Sequence, residues 1–540
     1  MRRPALANLS ALASAPVVAA LSAALWLASR PGDPLAALGY QTSNSPFLAL
    51  VALTPLMIWL ELVPQRVSRW AGALGAMLLG AGMAGAASYA AALAVLPALI
   101  RAGYPEADAL LSAQLAAALQ AAPVTLATLL TWYAVRRGRR APGFFAFAWV
   151  AAEGLAPLGA ERLAVALYEH TEWIALASIG GPSLVSLFLA LVNGALAETL
   201  LLAVPPRRKP FLLLAAAVGV AGSLGIHGIR SSALEAAATG APSVRVLVVQ
   251  PGPQADGESE DGPLADGGLE AETRRALAEA LPGDPVDVVV WPGVRFDPPL
   301  AWTELDLAPR LPAELATPFL LGATLVRDDP PEGPTVQVLV LADDAHQRGA
   351  IYQATVLAPF LDFAPLDESL PAATRARIHD AGRRPGQRGA MFELGRVPFG
   401  VMVGWDDISG PDLRRQLAEQ DPEWLVSVVD DRAFEGTPLP EYHHACAVFR
   451  AVEQGRYMVR AAAEGGSALV DPLGVSHQRM PLATGGSSVM DVPRLHAETG
   501  YRAVGNFATL LCLLFCVSLL LLKPATAVNG DDGDGAPEGA

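Results

Sequence analysis

Long apolar runs fill most of residues 1–230, and a helix needs roughly twenty such residues to cross a bilayer. Candidate spans fall at 8–29, 46–64, 70–100, 111–135, 142–159, 174–204, 210–229 and 504–523. The third and sixth exceed one bilayer thickness, so each is expected to tilt or to extend past it. The first is followed by further spans and has no clear cleavage pattern, which separates it from a signal peptide. The expectation is a membrane domain over 1–230 with seven transmembrane helices, and an eighth helix at 504–523.

Basic residues in short loops favour the cytoplasmic side. Arg2 and Arg3 precede the first span, and Arg66 and Arg69 follow the second. Arg136, Arg137, Arg139 and Arg140 follow the fourth, Arg207, Arg208 and Lys209 the sixth, and Lys523 closes the last. With eight spans drawn, every cluster falls on one side. Residues 231–503 then lie on the other, and the protein is expected in the cytoplasmic (inner) membrane with its large domain on the periplasmic side. Glu153, Asn193 and Glu198 sit in or near spans, where carboxylates are costly and often functional. Glu198 lies near its helix end, so function and reaching for the interface are both open readings.

The chain is 52% hydrophobic and only 17% charged, with a formal net charge of -15. Nucleic acid is not an expected partner. Three cysteines are too few for a disulfide framework, and Cys446, Cys512 and Cys516 all sit in apolar helical patterns where a thiol is usually inert. Lysine occurs only at Lys209 and Lys523, outside the polar central region. The closing acidic segment 524–540 has no apolar periodicity and reads as disordered.

Between the apolar regions, after a linker over Ser231 to Pro242, strand and helix patterns interleave across 241–497. "SVRVLVVQPGPQ" and "PVDVVVWPG" read as buried strands, "AETRRALAEAL" as a helix, and "PFLLGATLV" and "TVQVLVLADD" as further strands. "VPFGVMVGWDDISGPDLRR" is a strand running into a helix through an elbow at Gly404, "PEWLVSVVDD" is another strand, and "HHACAVFRAVEQGRYMVRAA" is a helix leading into a strand. Such alternation makes an α/β layered sandwich.

These segments, in this order and beside eight spans, resemble the apolipoprotein N-acyltransferase family, membrane enzymes with a carbon–nitrogen hydrolase domain. "WVAAE" and "LASIGGPSLVSLFLALVNGAL" resemble the family's late spans, and "VRVLVVQPGPQ", "DVVVWP", "AVFRAVEQGRYMVRAAAEGGSALVDPLG" and "DVP" its outer domain. The resemblance implies a nitrilase-like α-β-β-α sandwich outside the membrane and no cofactor. It also implies a two-step acyl transfer. A cysteine thiolate takes an acyl chain from phospholipid as a thioester, and the chain then passes to the N-terminal amine of a lipoprotein. A glutamate acts as general base and a lysine stabilises the oxyanion.

At the position of the glutamate, after "WP", this chain has Gly293. At the lysine position, ahead of "PF", it has Ala354, and at the elbow cysteine it has Gly404. The catalytic triad of the family is thus expected to be lost. Arg295, near the base position, cannot replace a base because guanidinium stays protonated. Possible pocket residues are Asp362, Trp405, Asp406, Asp430, Asp431 and His443. Their spacing matches no metal motif, so no metal is expected, and solvation or helix capping is the simpler account of the polar ones. The favoured function is a degenerate relative that binds phospholipid, lipoprotein or an active relative. The alternatives are a working N-acyltransferase with altered catalysis and an amide hydrolase using Asp and His.

Overall fold

The computed structural model describes residues 2–32, 45–101, 104–155, 162–201, 210–251, 267–280, 285–294, 307, 311, 315–326, 335–359, 362–363, 368, 372, 375–376, 385–386, 392–408, 410–417 and 421–522. Arg295, the basic run 207–209, Lys523 and the acidic tail lie outside these residues.

The apolar region forms α1 (Arg2–Ser29), α2 (Thr54–Leu62), α3 (Arg69–Arg101), α4 (Glu106–Arg136), α5 (Ala141–Leu155), the short α6 (Thr171–Ile174), α7 (Ala177–Leu200) and α8 (Pro210–Ala238). Helices are the natural choice because each satisfies its own backbone groups where no water is available. Among the described residues five stretches are long and apolar enough to cross a membrane: Ala7–Ala28, Arg69–Tyr89, Glu106–Arg136, Ala177–Leu200 and Leu212–Ala238. Pro46–Leu62, Ala141–Leu155 and Phe507–Leu521 are apolar but shorter. The run at 46–64 is short because Pro46–Leu50 winds as a 3-10 turn before α2 begins. The run at 174–204 is broken at Gly180 and Gly181, the latter at φ 69, just before Pro182. The expected linker at Ser231–Pro242 is instead mostly helix, because α8 meets no breaker until Gly240, at φ 76.

Asn193 ties this bundle together. Its Oδ1 accepts from the backbone N–H of Leu53 (2.8 Å) and of Thr54 (3.0 Å), at the start of α2, where the Thr54 N–H is shared with the Val51 carbonyl at 3.1 Å. Its Nδ2 donates to the carbonyls of Ala49 and Leu189, both at 2.9 Å. At one end of the bundle Arg140 pairs with Glu61 at 2.8 Å, and Arg136, Arg137 and Arg139 donate to the carbonyls of Pro64, Leu520 and Leu522. The basic loop therefore closes exposed helix C-termini, the ends that carry negative partial charge.

The outer region contains two six-stranded sheets. The first runs β12-β1-β2-β3-β4-β5 and the second β11-β10-β9-β8-β7-β6. β1 (Ser243–Gln250), β2 (Val288–Val294) and β3 (Phe319–Val326) are mutually parallel, and β4 (Thr335–Ala342) and β5 (Arg348–Gln353) add on antiparallel. In the second sheet β7 (Val397–Val403), β8 (Trp424–Val429) and β9 (Met458–Ala462) are parallel. The short β6 (Phe392–Leu394), β10 (Ala468–Val470) and β11 (Ser476–His477) flank them, and β12 (Gly486–Pro493) pairs with β1. The sequence reading missed β6 and most of β12, whose "GSSVMDVP" is too polar to stand out.

Alternation along the strands builds the layers. Val246, Val248, Val288 and Val290 face Val401, Trp424, Val426 and Val459 between the sheets. Leu247, Val249 and Val289 turn outward onto Leu269 and Ala276 of α9 (Gly267–Glu279). After the elbow comes α10 (Gly410–Leu417), and beyond β8 comes α11 (Leu439–Gln454). On the outer face of the second sheet Met402, Leu425 and Met458 meet Val448, Phe449 and Val452 of α11. The order is α-β-β-α, the layering of a nitrilase-like domain. The α11 layer does not face water, because the same apolar cluster continues into Val150, Ile174 and Leu189 of the bundle. The chain then passes through α12 (Gly500–Val504) into α13 (Phe507–Leu521).

Asn193→Ala should lower the stability of the detergent-solubilised protein by about 2 kcal/mol, since it strands the buried N–H of Leu53 and removes the cross-helix bonds to Thr54 and Ala49. A melting curve unchanged from the native protein would contradict this account of the α2–α7 contact.

Candidate active-site rim

The parallel strands deliver their C-terminal ends to one rim of the sandwich. β7 and β8 pair in register through Val403 and Val428, so Gly404 and Asp430 leave neighbouring strands close together. Gly404 has φ 59 and opens a 3-10 turn through Ile408. A Cβ there would lie 2.5 Å from Oε1 of Gln337 on β4. In the opposite sheet Gly293 sits at φ 69, where the β2–β3 register shifts between Trp291 and Val294. A Cβ on it would lie 2.8 Å from Cγ of Asp430. Ala354 is buried beside Gln337, donating its N–H to the Gln337 carbonyl at 2.9 Å and accepting from Gly386 at 2.7 Å. Gly293, Ala354 and Gly404 thus share one rim, and they bring to it no thiol, carboxylate or ammonium.

The remaining rim residues have partners that account for them. Asp406, just past the elbow, accepts from the N–H groups of Thr355 (2.9 Å), Val356 (2.8 Å) and Val403 (3.0 Å). It also accepts from the hydroxyls of Tyr352 (3.0 Å) and Thr355 (2.9 Å). This carboxylate clamps the segment carrying Ala354 to the elbow. Burial pushes its pKa up to about 6, against the pull of these donors. Asp362 is buried and accepts from the N–H of Ala358 at 2.8 Å, closing a turn. Asp430 forms a two-pronged pair with Arg432, Nε to Oδ1 and Nη2 to Oδ2, both at 2.9 Å.

Asp431 and His443 are not solvated surface groups or helix caps, because the membrane bundle covers α11. His443 is fully buried, with Nδ1 2.8 Å from Oδ1 of Asp431 and Nε2 3.9 Å from Oδ1 of Asp407. Trp405 closes over it edge-to-face, with ring centroids 5.4 Å apart. Arg460 lies 3.4 Å from Asp407 and 3.3 Å from Asp431, and Arg450 bonds Glu453 at 2.7 Å. The clustered carboxylates are therefore neutralised by guanidinium groups that sequence spacing could not pair with them. Burial alone would lower the pKa of His443, but Asp431 and Asp407 outweigh it and hold it above the ordinary value. Cys446, on the same helix, has its thiol pushed up to about 12 by burial and by the charge of Asp407.

Gln337 and Arg432 were not anticipated. The lone amide side chain in "TVQVLVLA" was a usable signal for Gln337, whereas nothing local marks Arg432 as the partner of a residue on β2. Among the described residues no cluster of histidine, cysteine and carboxylates is arranged to hold a metal ion.

Residues 34–195 match the apolipoprotein N-acyltransferase N-terminal domain. Over that stretch the chain resembles the apolipoprotein N-acyltransferase family. Relatives bearing that name include proteins from Geobacter metallireducens, 27% identical over 29% of this chain and 30% of theirs, and Rhodopseudomonas palustris, 28% identical over 44% and 45%. Apolipoprotein N-acyltransferase 1 of Treponema pallidum is 26% identical over 53% of this chain and 55% of its own. The chain spans about half or less of the length of these curated relatives. An amidase of the nitrilase superfamily from Nesterenkonia AN1 covers 46% of this chain and 90% of its own, at 17% identity and a TM-score of 0.30. Helices of spanning length together with this resemblance support a membrane protein.

Because the folded state raises the pKa of His443, the stability its charge provides is complete below about pH 6.5 and fades as pH rises through the folded value. His443→Gln should remove that alkaline loss, flattening the fall of melting temperature as pH rises above about 6.5. Identical pH profiles for the two proteins would refute a protonated His443.

Proposed function

We propose that this protein is a catalytically silent member of the family, held in the inner membrane with its sandwich on the periplasmic side, where it binds phospholipid or lipoprotein. The observation that carries the reading is the rim itself. Gly404 offers no sulfur, Gly293 no proton acceptor and Ala354 no ammonium. Lysine is absent between Lys209 and Lys523, so no neighbouring position can supply that cation. Cys446 does not substitute, because its thiol is buried in the α11 layer and held protonated. His443 and Asp406 are equally enclosed, which disfavours a hydrolase built on them. An active relative is a further candidate partner.

Support for lipid as the ligand comes from the bundle. A groove of ≈ 890 Å³ runs between α3 and α4, lined by Ala81, Gly85, Tyr89, Ala117, Ala121 and Thr125. Small side chains keep it open, and its apolar lining suits an acyl chain.

Purified protein given labelled phospholipid and an acceptor lipopeptide should form neither a thioester nor an acylated peptide; product made by protein free of contaminating transferase refutes the silent reading. Photoactivatable phospholipid should crosslink to α3 or α4, and recovery of neither lipid nor lipoprotein would remove the binding role. Cys446 should resist iodoacetamide in the native protein at pH 8 and react once unfolded. Fast native alkylation would reopen it as a nucleophile.

A further inference from the structure

The end of β2 holds more than a missing side chain. The register shift after Trp291 and the positive φ of Gly293 turn the Gly293 carbonyl across the gap between the sheets. Nη2 of Arg432 donates to that carbonyl. Arg432 is 7% exposed and grips Asp430 with two bonds of 2.9 Å, while its own backbone N–H donates to the same carboxylate at 3.3 Å. Paired bonds of this kind fix geometry as well as supplying energy.

The pair fills the space that a side chain at 293 would need. A Cβ there would meet Asp430 Cγ at 2.8 Å, Asp430 Oδ2 at 2.9 Å and Arg432 Nη2 at 3.0 Å. A glutamate places its carboxyl carbon roughly 2.5 Å from its Cβ, two bonds away. That is about the distance at which the Asp430 carboxylate already sits. Gln337, which crowds Gly404, touches only through the tip of a flexible side chain and can swing aside. Asp430 is held from two directions and cannot move without breaking its bonds to Arg432.

We propose that Gly293, Asp430 and Arg432 form a latch between the two sheets that closes the base corner of the pocket, so acyl-transfer chemistry is blocked there by occupancy as well as by absence. The inference rests on assigning Gly293 to the family's base position. Glycine at 293 is a requirement of the latch: it supplies both the positive φ that aims the carbonyl and the room for Asp430.

Two measurements on the full-length protein in detergent test this. The first is a double-mutant cycle in thermal melting using Gly293→Ala, Asp430→Ala and their combination. Backbone strain at positive φ is common to both alanine-293 backgrounds and cancels in the comparison. Gly293→Ala should lower the melting temperature by about 4 °C or more alone, and by less than half as much beside Asp430→Ala. Equal drops would overturn the latch. The second uses the variant carrying Gly293→Glu, Ala354→Lys and Gly404→Cys, assayed with labelled phospholipid and lipopeptide. Adding Asp430→Ala and Arg432→Ala should raise acylated product at least tenfold; equal turnover without them overturns the latch and leaves the silent reading standing. Turnover by the unmodified protein would overturn the silent reading instead, with the cycle still deciding the latch. Where neither restored form turns over, the cycle alone decides.

Discussion

The burial of α11 on both faces governs the rest of the molecule. One face packs on Met402, Leu425 and Met458 of the second sheet, and the other joins a cluster that runs into the membrane bundle. A helix carrying two histidines, an arginine and two glutamates would normally turn those groups to water. Denied it, they must find partners in a low-dielectric interior, where an unpaired charge costs several kcal/mol. The outcome is the set His443–Asp431, Arg450–Glu453 and Arg460 between two aspartates. Membrane and outer regions consequently share one core. Gly181 at the break in α7 belongs to this joint, because a Cβ there would lie 2.7 Å from the Tyr501 ring and 3.4 Å from Glu453.

The same constraint separates the groups at the rim by role. Asp407, Asp431 and His443 lie on the α11 side of the second sheet and are occupied in holding layers together. Asp430, one residue before Asp431, leaves the strand on the other side and enters the gap between the sheets. Neighbouring carboxylates thus serve different layers because strand side chains alternate. Parallel strands ending together bring Gly404 and Asp430 to one place, and sheet stacking sets Gly293 and Gln337 opposite them.

Much of the architecture was legible because it depends on period and length. Apolar runs located the helices of the bundle, and β-branched runs located β1, β2, β3, β4 and β8. Breaks within runs were less visible: Pro46 converts the start of one run to a 3-10 turn, and Gly180–Gly181 splits another. The strand ends that carry Gly293 and Gly404 could be placed from sequence order alone. Their surroundings could not. The Asp430–Arg432 pair reaches Gly293 across 139 residues, and Asp406 reaches Thr355 across 51. No local pattern encodes contacts of that span. The error on His443 has the same origin, since its exposure depends on a membrane bundle more than two hundred residues away in the chain.

A rim with glycine at 293 and 404 and alanine at 354 could have enclosed a void, and voids are penalised because their lining atoms lose contacts. Here Gln337 and Asp430 crowd the two glycine positions from opposite sheets. Filling with polar groups has its own cost unless each is bonded. Asp430 meets that condition through Arg432, and Arg432 through the Gly293 carbonyl. The pair puts a carboxylate and a cation at the rim as one neutral, mutually satisfied unit. A two-pronged bond to guanidinium engages one lone pair on each carboxylate oxygen, and the guanidinium stays protonated throughout the physiological range. Each charge of the pair is met by the other, and the Gly293 carbonyl takes a further guanidinium N–H, so the pair links the two sheets at this rim.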